Sequence, residues 1–219
     1  MYRDVLLIGD SILDNQPYTR PSPDTATHLR EVLGEGWTVD LLARDGAVMS
    51  EIPEQLQQVK SRDACAFVSI GGNDLTRHLS LLDRPAASAM DLLGALLDIA
   101  EEFSASYEAV ARAVTDRVAR TVLCTIYEVQ LEPPPFAELA RVPLGVMNDR
   151  IIRTAARLGL EVLELRDVCT EPGDFVMQIE PSAQGARRIA DAIAEVLRDD
   201  ATTAARIHST ARTRASRAR

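Results

Sequence analysis

Short apolar runs alternate along this chain with longer segments whose apolar residues recur at helical spacing. Five runs are predicted as buried strands because they are short and rich in β-branched and aliphatic residues: 4–8, 37–42, 64–70, 121–127 and 161–165. The segments between them are predicted as helices: 25–33, 52–59, 88–119 (as one helix or two), 143–158 and 182–198. Strands separated by helices predict an α/β fold, a five-stranded parallel sheet with helices on both faces.

Local signals support the ends of several elements. Asp24 is predicted to cap the first of these helices, and Gly34 to end it. Three consecutive prolines, 133–135, are expected to break the chain in a loop. No internal repeat, linker or second composition regime appears, so residues 1–200 are predicted to form one domain.

The last 19 residues, 201–219, differ from the rest in charge. They hold five arginines and no acid, whereas residues 1–200 hold 19 basic and 33 acidic residues. Such a short basic end is expected to be disordered and solvated rather than to contact nucleic acid or membrane. The arginines of this segment are Arg206, Arg212, Arg214, Arg217 and Arg219.

Composition narrows the classes of partner. The chain has 219 residues, of which 46% are hydrophobic and only 4% aromatic, and its net charge is −9. Few aromatic residues argue against a stacking surface for single-stranded nucleic acid. The negative charge disfavours polyanions as partners. A small-molecule substrate is therefore expected, and no nucleic acid.

Three cysteines lie far apart, at positions 65, 124 and 169, with no CxxC pair. We expect them to be core residues rather than metal ligands or disulfide partners. No apolar run approaches the roughly 20 residues that span a bilayer. No secretory signal pattern precedes the first strand, and a cytoplasmic location is the resulting expectation.

Candidate chemistry gathers at the ends of three predicted strands. Gly9-Asp10-Ser11 ends the first strand, Gly46 lies in the loop after the second, and Gly71-Gly72-Asn73-Asp74 follows the third. The carboxyl ends of parallel strands share one edge of the sheet, where ligands bind in open α/β folds. A serine, a loop N–H and an asparagine amide at that edge are suited to acyl transfer, as nucleophile and oxyanion donors.

Four segments in this order resemble the SGNH hydrolases, also called the GDSL esterase/lipase family. Besides the three strand ends, the run Pro181-Ser182-Ala183-Gln184-Gly185-Ala186-Arg187-Arg188-Ile189-Ala190 is similar to the segment that follows the catalytic histidine in that family. The resemblance covers about residues 3–198. It implies a flavodoxin-like three-layer sandwich and hydrolysis of an ester, thioester or acetylated substrate. It also implies Ser11 as nucleophile, with the N–H groups of Ser11 and Gly46 and the Asn73 side chain as oxyanion hole.

The final block departs from the family pattern. Where the family has Asp-x-x-His, this chain has Met177-Gln178-Ile179-Glu180. One hypothesis makes Glu180 the general base, although its ordinary pKa of about 4.3 makes it weak unless burial raises that pKa. A second hypothesis makes His78, which follows the Asn73 loop, the general base. The simpler interpretation of His78 is an exposed helix residue. A third holds that hydrolysis has been lost and a binding or regulatory pocket remains.

Other acids at this edge have simpler explanations. Asp10 is expected to hold its turn by accepting backbone N–H bonds, and Asp74 to cap the helix after it. Asp10, Asp74, Asp14 and Asp45 together are only a weak indication of a divalent cation site with oxygen ligands, because each is a single acid in a separate turn. No metal and no cofactor are predicted.

Overall fold

The computed structural model describes residues 3–80, 85, 87–199 and 206–208. Six parallel strands form one sheet, in the order β2-β1-β3-β4-β5-β8. These strands are β1 Asp4–Gly9, β2 Thr38–Leu41, β3 Ala64–Ser69, β4 Arg120–Cys124, β5 Glu161–Leu163 and β8 Ile207–His208. A short antiparallel hairpin is made by β6 Phe175–Val176 and β7 Glu180–Pro181.

Eight α-helices connect or flank these strands in the described part of the chain. They are α1 Gln16–Thr19, α2 Thr25–Leu33, α3 Ile52–Leu56, α4 Gly72–Thr76, α5 Ala89–Thr115, α6 Pro134–Leu158, α7 Leu165–Val168 and α8 Ala183–Arg198. Short 3₁₀ turns cover Met49–Glu51 and Pro172–Asp174.

The sheet separates two hydrophobic cores, because successive side chains of a strand point to opposite faces. Leu6 and Ile8 of β1 pack with α3, α5 and α6, whereas Val5 and Leu7 pack with α2, α7 and α8. The first five strands have the order 2-1-3-4-5 that is typical of flavodoxin-like folds. The predicted three-layer α/β architecture is therefore confirmed.

The sheet has one strand more than predicted. Ile207 and His208 pair with Val162 and Leu163 at the edge of the sheet. His208 Nε2 lies 2.6 Å from Glu161 Oε2, which ties the strand to its neighbour. Two residues are too few to show a periodicity, so the pattern predicted no strand in this segment. Residues 201–205 and 209–219 of the predicted tail lie outside the described residues.

Most element ends agree with the sequence prediction. The first predicted helix has the same bounds in the structure, with the Asp24 carboxylate accepting the Thr27 N–H at 2.7 Å and Gly34 following at φ +72°. The segment predicted as one helix or two is a single helix, Ala89–Thr115, capped by Ser88. The three cysteines are buried and free.

The prediction for α6 was wrong at its start. We expected the helix to begin at Pro143, but it begins at Pro134 and contains Pro143 in its interior. Pro134 and Pro135 occupy the first turn, where a missing N–H costs nothing. The break that the prolines cause is confined to Pro133, which precedes the helix. Burial of Met147, Ile151 and Ala155 in the core offsets part of the cost of an interior proline.

Among the described residues, no helix combines the length and apolar character needed to cross a membrane.

Candidate active site

The turn after β1 depends on Gly9. Its φ is +137°, and a Cβ built there would lie 1.7 Å from the Ser69 carbonyl oxygen of β3. Only glycine permits both this conformation and this close approach. The side chain of Gln55, fully buried on α3, donates to the Gly9 carbonyl at 2.8 Å and accepts its N–H at 2.9 Å. The backbone that leads into Ser11 is therefore held from both sides.

Asp10 is buried immediately after this turn. Its carboxylate accepts the Ile12 N–H at 3.2 Å, and its own N–H donates to Ser69 at 3.0 Å. Burial is the largest influence on the Asp10 carboxyl and raises its pKa to about 8, with Glu180 and Asp74 contributing in the same direction. Asp10 therefore holds the turn as expected, and it does so as a neutral acid at pH 7.

Replacing Asp10 by asparagine is expected to remove a pH dependence of stability. The pKa of Asp10 is higher folded than unfolded, so the folded state keeps a proton that the unfolded chain releases between about pH 4 and pH 8. The free energy of unfolding therefore falls as the pH rises through that window. We expect Asp10→Asn to raise the free energy of unfolding by about 5 kcal/mol at pH 8 and by little at pH 4.

Denaturant unfolding of both proteins at pH 4, 6 and 8 measures this difference. The matched control is Asp63→Asn, because Asp63 is exposed. An Asp10→Asn effect of the same size at every pH would contradict the assignment.

Ser11 lies at the floor of a cavity of about 70 Å³. Asn73 and Glu180 line the same cavity, and the Ser11 side chain is 6% exposed. The structure therefore brings together three of the four residues to which the sequence analysis gave catalytic roles. The cavity lies where β1 and β3 end, at the point where the strand order reverses and flavodoxin-like folds bind ligands.

Asn73 enters this cavity from the first turn of α4. Gly71, at φ +110°, makes the sharp turn between β3 and the helix. The Asn73 amide donates to the Ala47 carbonyl at 2.9 Å, which fixes the side chain against the loop that carries Gly46. One amide hydrogen remains for the cavity.

Gly46 itself is exposed, at φ +76°, and is not among the residues that line the Ser11 cavity. In the part of the chain that the structure describes, its N–H donates to no other group, and neither does the N–H of Ser11. Asp74 accepts the Met49 N–H at 3.1 Å, so it braces the end of the same loop. The prediction that Asp74 caps its helix was wrong: the helix has no side-chain cap, and the Asp74 carboxylate contacts the loop instead.

Glu180 reaches Ser11 from the hairpin of β6 and β7. Met177 and Gln178 at its tip both have positive φ, as the tight hairpin turn requires. The Tyr127 hydroxyl donates to the Ile179 carbonyl at 2.6 Å and fixes the strand beside Glu180. The Met177 side chain, at the position of the family's aspartate, is 76% exposed.

The environment of Glu180 favours its neutral form. Burial raises the pKa of this carboxyl, interaction with the Ser11 hydroxyl lowers it, and the negative charge of Asp45 raises it again, with a net upward shift. Its Oε2 atom is buried and accepts no hydrogen bond from any described residue. Glu180 thus lies beside the candidate nucleophile in the same cavity, and its Oε2 atom has no partner among the described residues.

None of the three histidines lines the Ser11 cavity in the described structure. His78 is exposed and lines a neighbouring apolar groove. His28 lies on α2 and faces Glu31, with 3.4 Å between the two side chains, and His208 is bound to Glu161 at the edge of the sheet. The geometry therefore supports the simpler interpretation of His78.

The acids at this edge are each engaged separately. Asp14 accepts the Asp45 N–H at 2.9 Å, and both Asp45 oxygens lie 3.0 Å from the Tyr18 hydroxyl. Among the described residues, no group of three or more acids, histidines or cysteines is arranged to hold a metal ion.

Sequence reasoning missed Tyr18 and Gln55. Burial, the hydrogen bond to Asp45 and the negative charge of Glu180 raise the pKa of the Tyr18 phenol to about 12. Tyr18 lies in a short helix without a hydrophobic period, and Gln55 resembles any polar residue of an amphipathic helix. No local signal could have identified either residue.

Comparison with known proteins identifies relatives of this architecture. The model of the GDSL-like lipase/acylhydrolase family matches residues 7–188. Solved structures share the fold at low sequence identity. A lipase from Streptomyces rimosus is 15% identical, with a TM-score of 0.62 over 84% of this chain and 95% of its own.

Two further structures are similar to the same extent. Phospholipase A1 from Streptomyces albidoflavus is 14% identical, with a TM-score of 0.64 over 87% of this chain and 99% of its own. An acetylxylan esterase from Geobacillus stearothermophilus is 14% identical, with a TM-score of 0.62 over 90% and 95%. A search of curated proteins found no match.

Proposed function

Because this chain belongs to the GDSL-like lipase/acylhydrolase family, we propose that it hydrolyses a small ester, thioester or acetylated substrate with Ser11 as nucleophile. The observation that carries the proposal is the cavity that Ser11 shares with Asn73 and Glu180. A nucleophile, an amide donor and a proton acceptor are the minimum that acyl transfer requires.

In the proposed reaction, Ser11 Oγ attacks the substrate carbonyl carbon while its proton passes to Glu180. The carbonyl oxygen becomes negative and is stabilised by the N–H group of Ser11 and by the Asn73 amide. Collapse of this intermediate expels the alcohol or thiol, which takes the proton from Glu180. Water then attacks the acyl-serine with Glu180 again as base, releasing the carboxylic acid and restoring Ser11.

Two pKa shifts support this division of roles. The raised pKa of Glu180 makes it a stronger base than an exposed glutamate, which favours proton transfer from serine. Asp10, also in the cavity, is neutral at pH 7. An ionised Asp10 would place a second negative charge beside the developing oxyanion. A carboxylate remains a weaker base than imidazole, so slow turnover is expected.

A non-catalytic binding or regulatory protein is the second candidate. It is favoured by the lack of any histidine in the cavity and by the unpartnered Oε2 of Glu180, which no described residue orients. A fluorophosphonate probe separates the two functions, because it forms a covalent adduct only with an activated serine. Labelling of the native protein supports hydrolysis, and its absence supports the binding function.

We expect Asn73→Ala to lower kcat by about 10²–10³-fold, the usual effect of losing one oxyanion donor. KM should change little, because the bond is strongest in the transition state. Steady-state hydrolysis of a p-nitrophenyl ester measures both constants. Arg77→Ala, at the exposed end of the same helix, is the matched control. An equal loss in both variants would mean that α4 had been disturbed rather than a donor removed.

A further inference from the structure

An apolar groove opens directly from the Ser11 cavity. It has a volume of about 190 Å³, against about 70 Å³ for the cavity itself. The two spaces share five lining residues, so they adjoin each other. The shared residues are Gly72, Thr76, Ile126, Val129 and Ile179.

Two helices supply the walls of this groove. Leu96 and Ile99 come from α5, and Ala140, Leu144 and Met147 come from α6. Their spacing of three or four residues places each set along one face of its helix. On α5 the same face continues outward to Leu92, which is 37% exposed. The apolar face of α5 that lines the groove therefore continues to the surface beyond it.

The chemistry of the lining is uniform. Among the described residues, no carboxylate, ammonium or guanidinium group lines the groove, and its polar side chains are Thr76 and His78. A sugar ring in such a groove would lose its hydrogen bonds to water without replacement, at a cost of several kcal/mol. A hydrocarbon chain would gain on entering it.

We propose that this groove binds the acyl chain of the substrate. The protein should therefore prefer esters or thioesters of apolar acyl groups over acetylated carbohydrates. The inference rests on the proposed function, because it places the acyl carbonyl at Ser11 and the chain in the groove. The 70 Å³ cavity alone is suited to a small acyl group, and the groove accommodates the methylenes beyond it.

The test is a series of p-nitrophenyl esters from acetate to octanoate. Each methylene that enters the groove should raise kcat/KM by about fourfold, the ratio expected from burial of one CH₂. The rise should level off once the chain reaches solvent. A flat series, or one that falls beyond acetate, would overturn the inference while leaving ester hydrolysis by Ser11 intact.

Two variants on α6 test whether the rise of kcat/KM with acyl-chain length depends on the groove. Leu144→Trp fills the groove and should remove the gain beyond butanoate, whereas Val142→Trp should retain it. Val142 is 63% exposed and does not line the groove. If Leu144→Trp does not fold, Ala140→Leu narrows the groove from the neighbouring turn with a smaller change. Identical chain-length profiles for the wall variant and the control would contradict the proposal.

Binding of neutral n-alkanols to the native protein distinguishes the two proposals. Affinity should rise from 1-butanol to 1-octanol by about fourfold per methylene, and Leu144→Trp should abolish the rise. If this holds without any esterase activity, the groove binds apolar chains and the proposed function fails. If esters are hydrolysed but alkanol affinity is independent of length, the groove assignment fails.

Discussion

Replacing Ser11 by alanine is expected to reduce ester hydrolysis by about 10³–10⁶-fold, to the level left by binding and the oxyanion donors alone. The reason is chemical rather than structural. Without Oγ no acyl-enzyme forms, and Glu180 is left to activate water directly. Because Ser11 follows the turn that Gly9 and Gln55 hold, loss of one oxygen should leave the fold unchanged.

Two measurements check this expectation. Hydrolysis of a short p-nitrophenyl ester gives the rate, and fluorophosphonate labelling shows whether the serine reacts. Ser106→Ala is the matched control, since Ser106 is exposed on α5 and does not line the cavity. Full activity in Ser11→Ala would rule out Ser11 as nucleophile, even if the fluorophosphonate probe then labelled another serine.

Replacing Glu180 by glutamine is expected to lower kcat by about 10²–10⁴-fold, the usual contribution of a general base. Glutamine has nearly the same shape and can still hydrogen-bond Ser11, but it cannot accept a proton. Glu128→Gln is the matched control, because Glu128 pairs with Arg141 outside the cavity. A rate in Glu180→Gln within twofold of the native rate would exclude Glu180 as base.

The pH profile expected of the native protein's proposed activity follows from two acids of the cavity, Glu180 and Asp10. Activity should rise with pH as Glu180 loses its proton, with a midpoint above the ordinary pKa of glutamate because burial raises it. It should fall again near pH 8, where Asp10 ionises beside the oxyanion. Glu180→Gln should lack the rising limb. A rising limb that persists in this variant would mean that another group is the base.

Restoring a histidine separates the enzyme from the binding protein. Glu180→His should move the rising limb toward about pH 6.5, the ordinary pKa of imidazole. Met177→Asp can be added to complete the family's pair, although its side chain extends from the exposed tip of the hairpin. Activity in Glu180→His, with none in the native protein, would favour the binding function.

The ends of β1 and β3 could be predicted from the hydrophobic pattern alone. Residues 4–8 and 64–70 are apolar runs that end in glycine-rich turns, and β1 and β3 end there in the structure. A parallel sheet necessarily brings such ends to one edge. The neighbourhood of Ser11 and Asn73 was therefore predictable without any knowledge of loop conformation.

The loops were less predictable, because their shape depends on distant contacts. Gly46 lies at the expected edge, yet it is exposed and outside the lining of the cavity. Its position is set by the contacts of Asn73 and Asp74 with Ala47 and Met49. Those side chains come from another strand end, so nothing within the loop sequence encodes the outcome.

The sequence by itself determined the layered α/β fold and the place of the candidate nucleophile, Ser11, at a strand end, and it led to the hypothesis that Glu180 stands where the family has histidine. These follow from residue identity and from periodicities of two and 3.6, which are local properties. Only the tertiary structure decided that Glu180 shares a cavity with Ser11, that His78 does not line this cavity, and that an apolar groove adjoins it. Those outcomes depend on burial and on contacts between residues far apart in sequence, and such contacts exist only once the chain has folded.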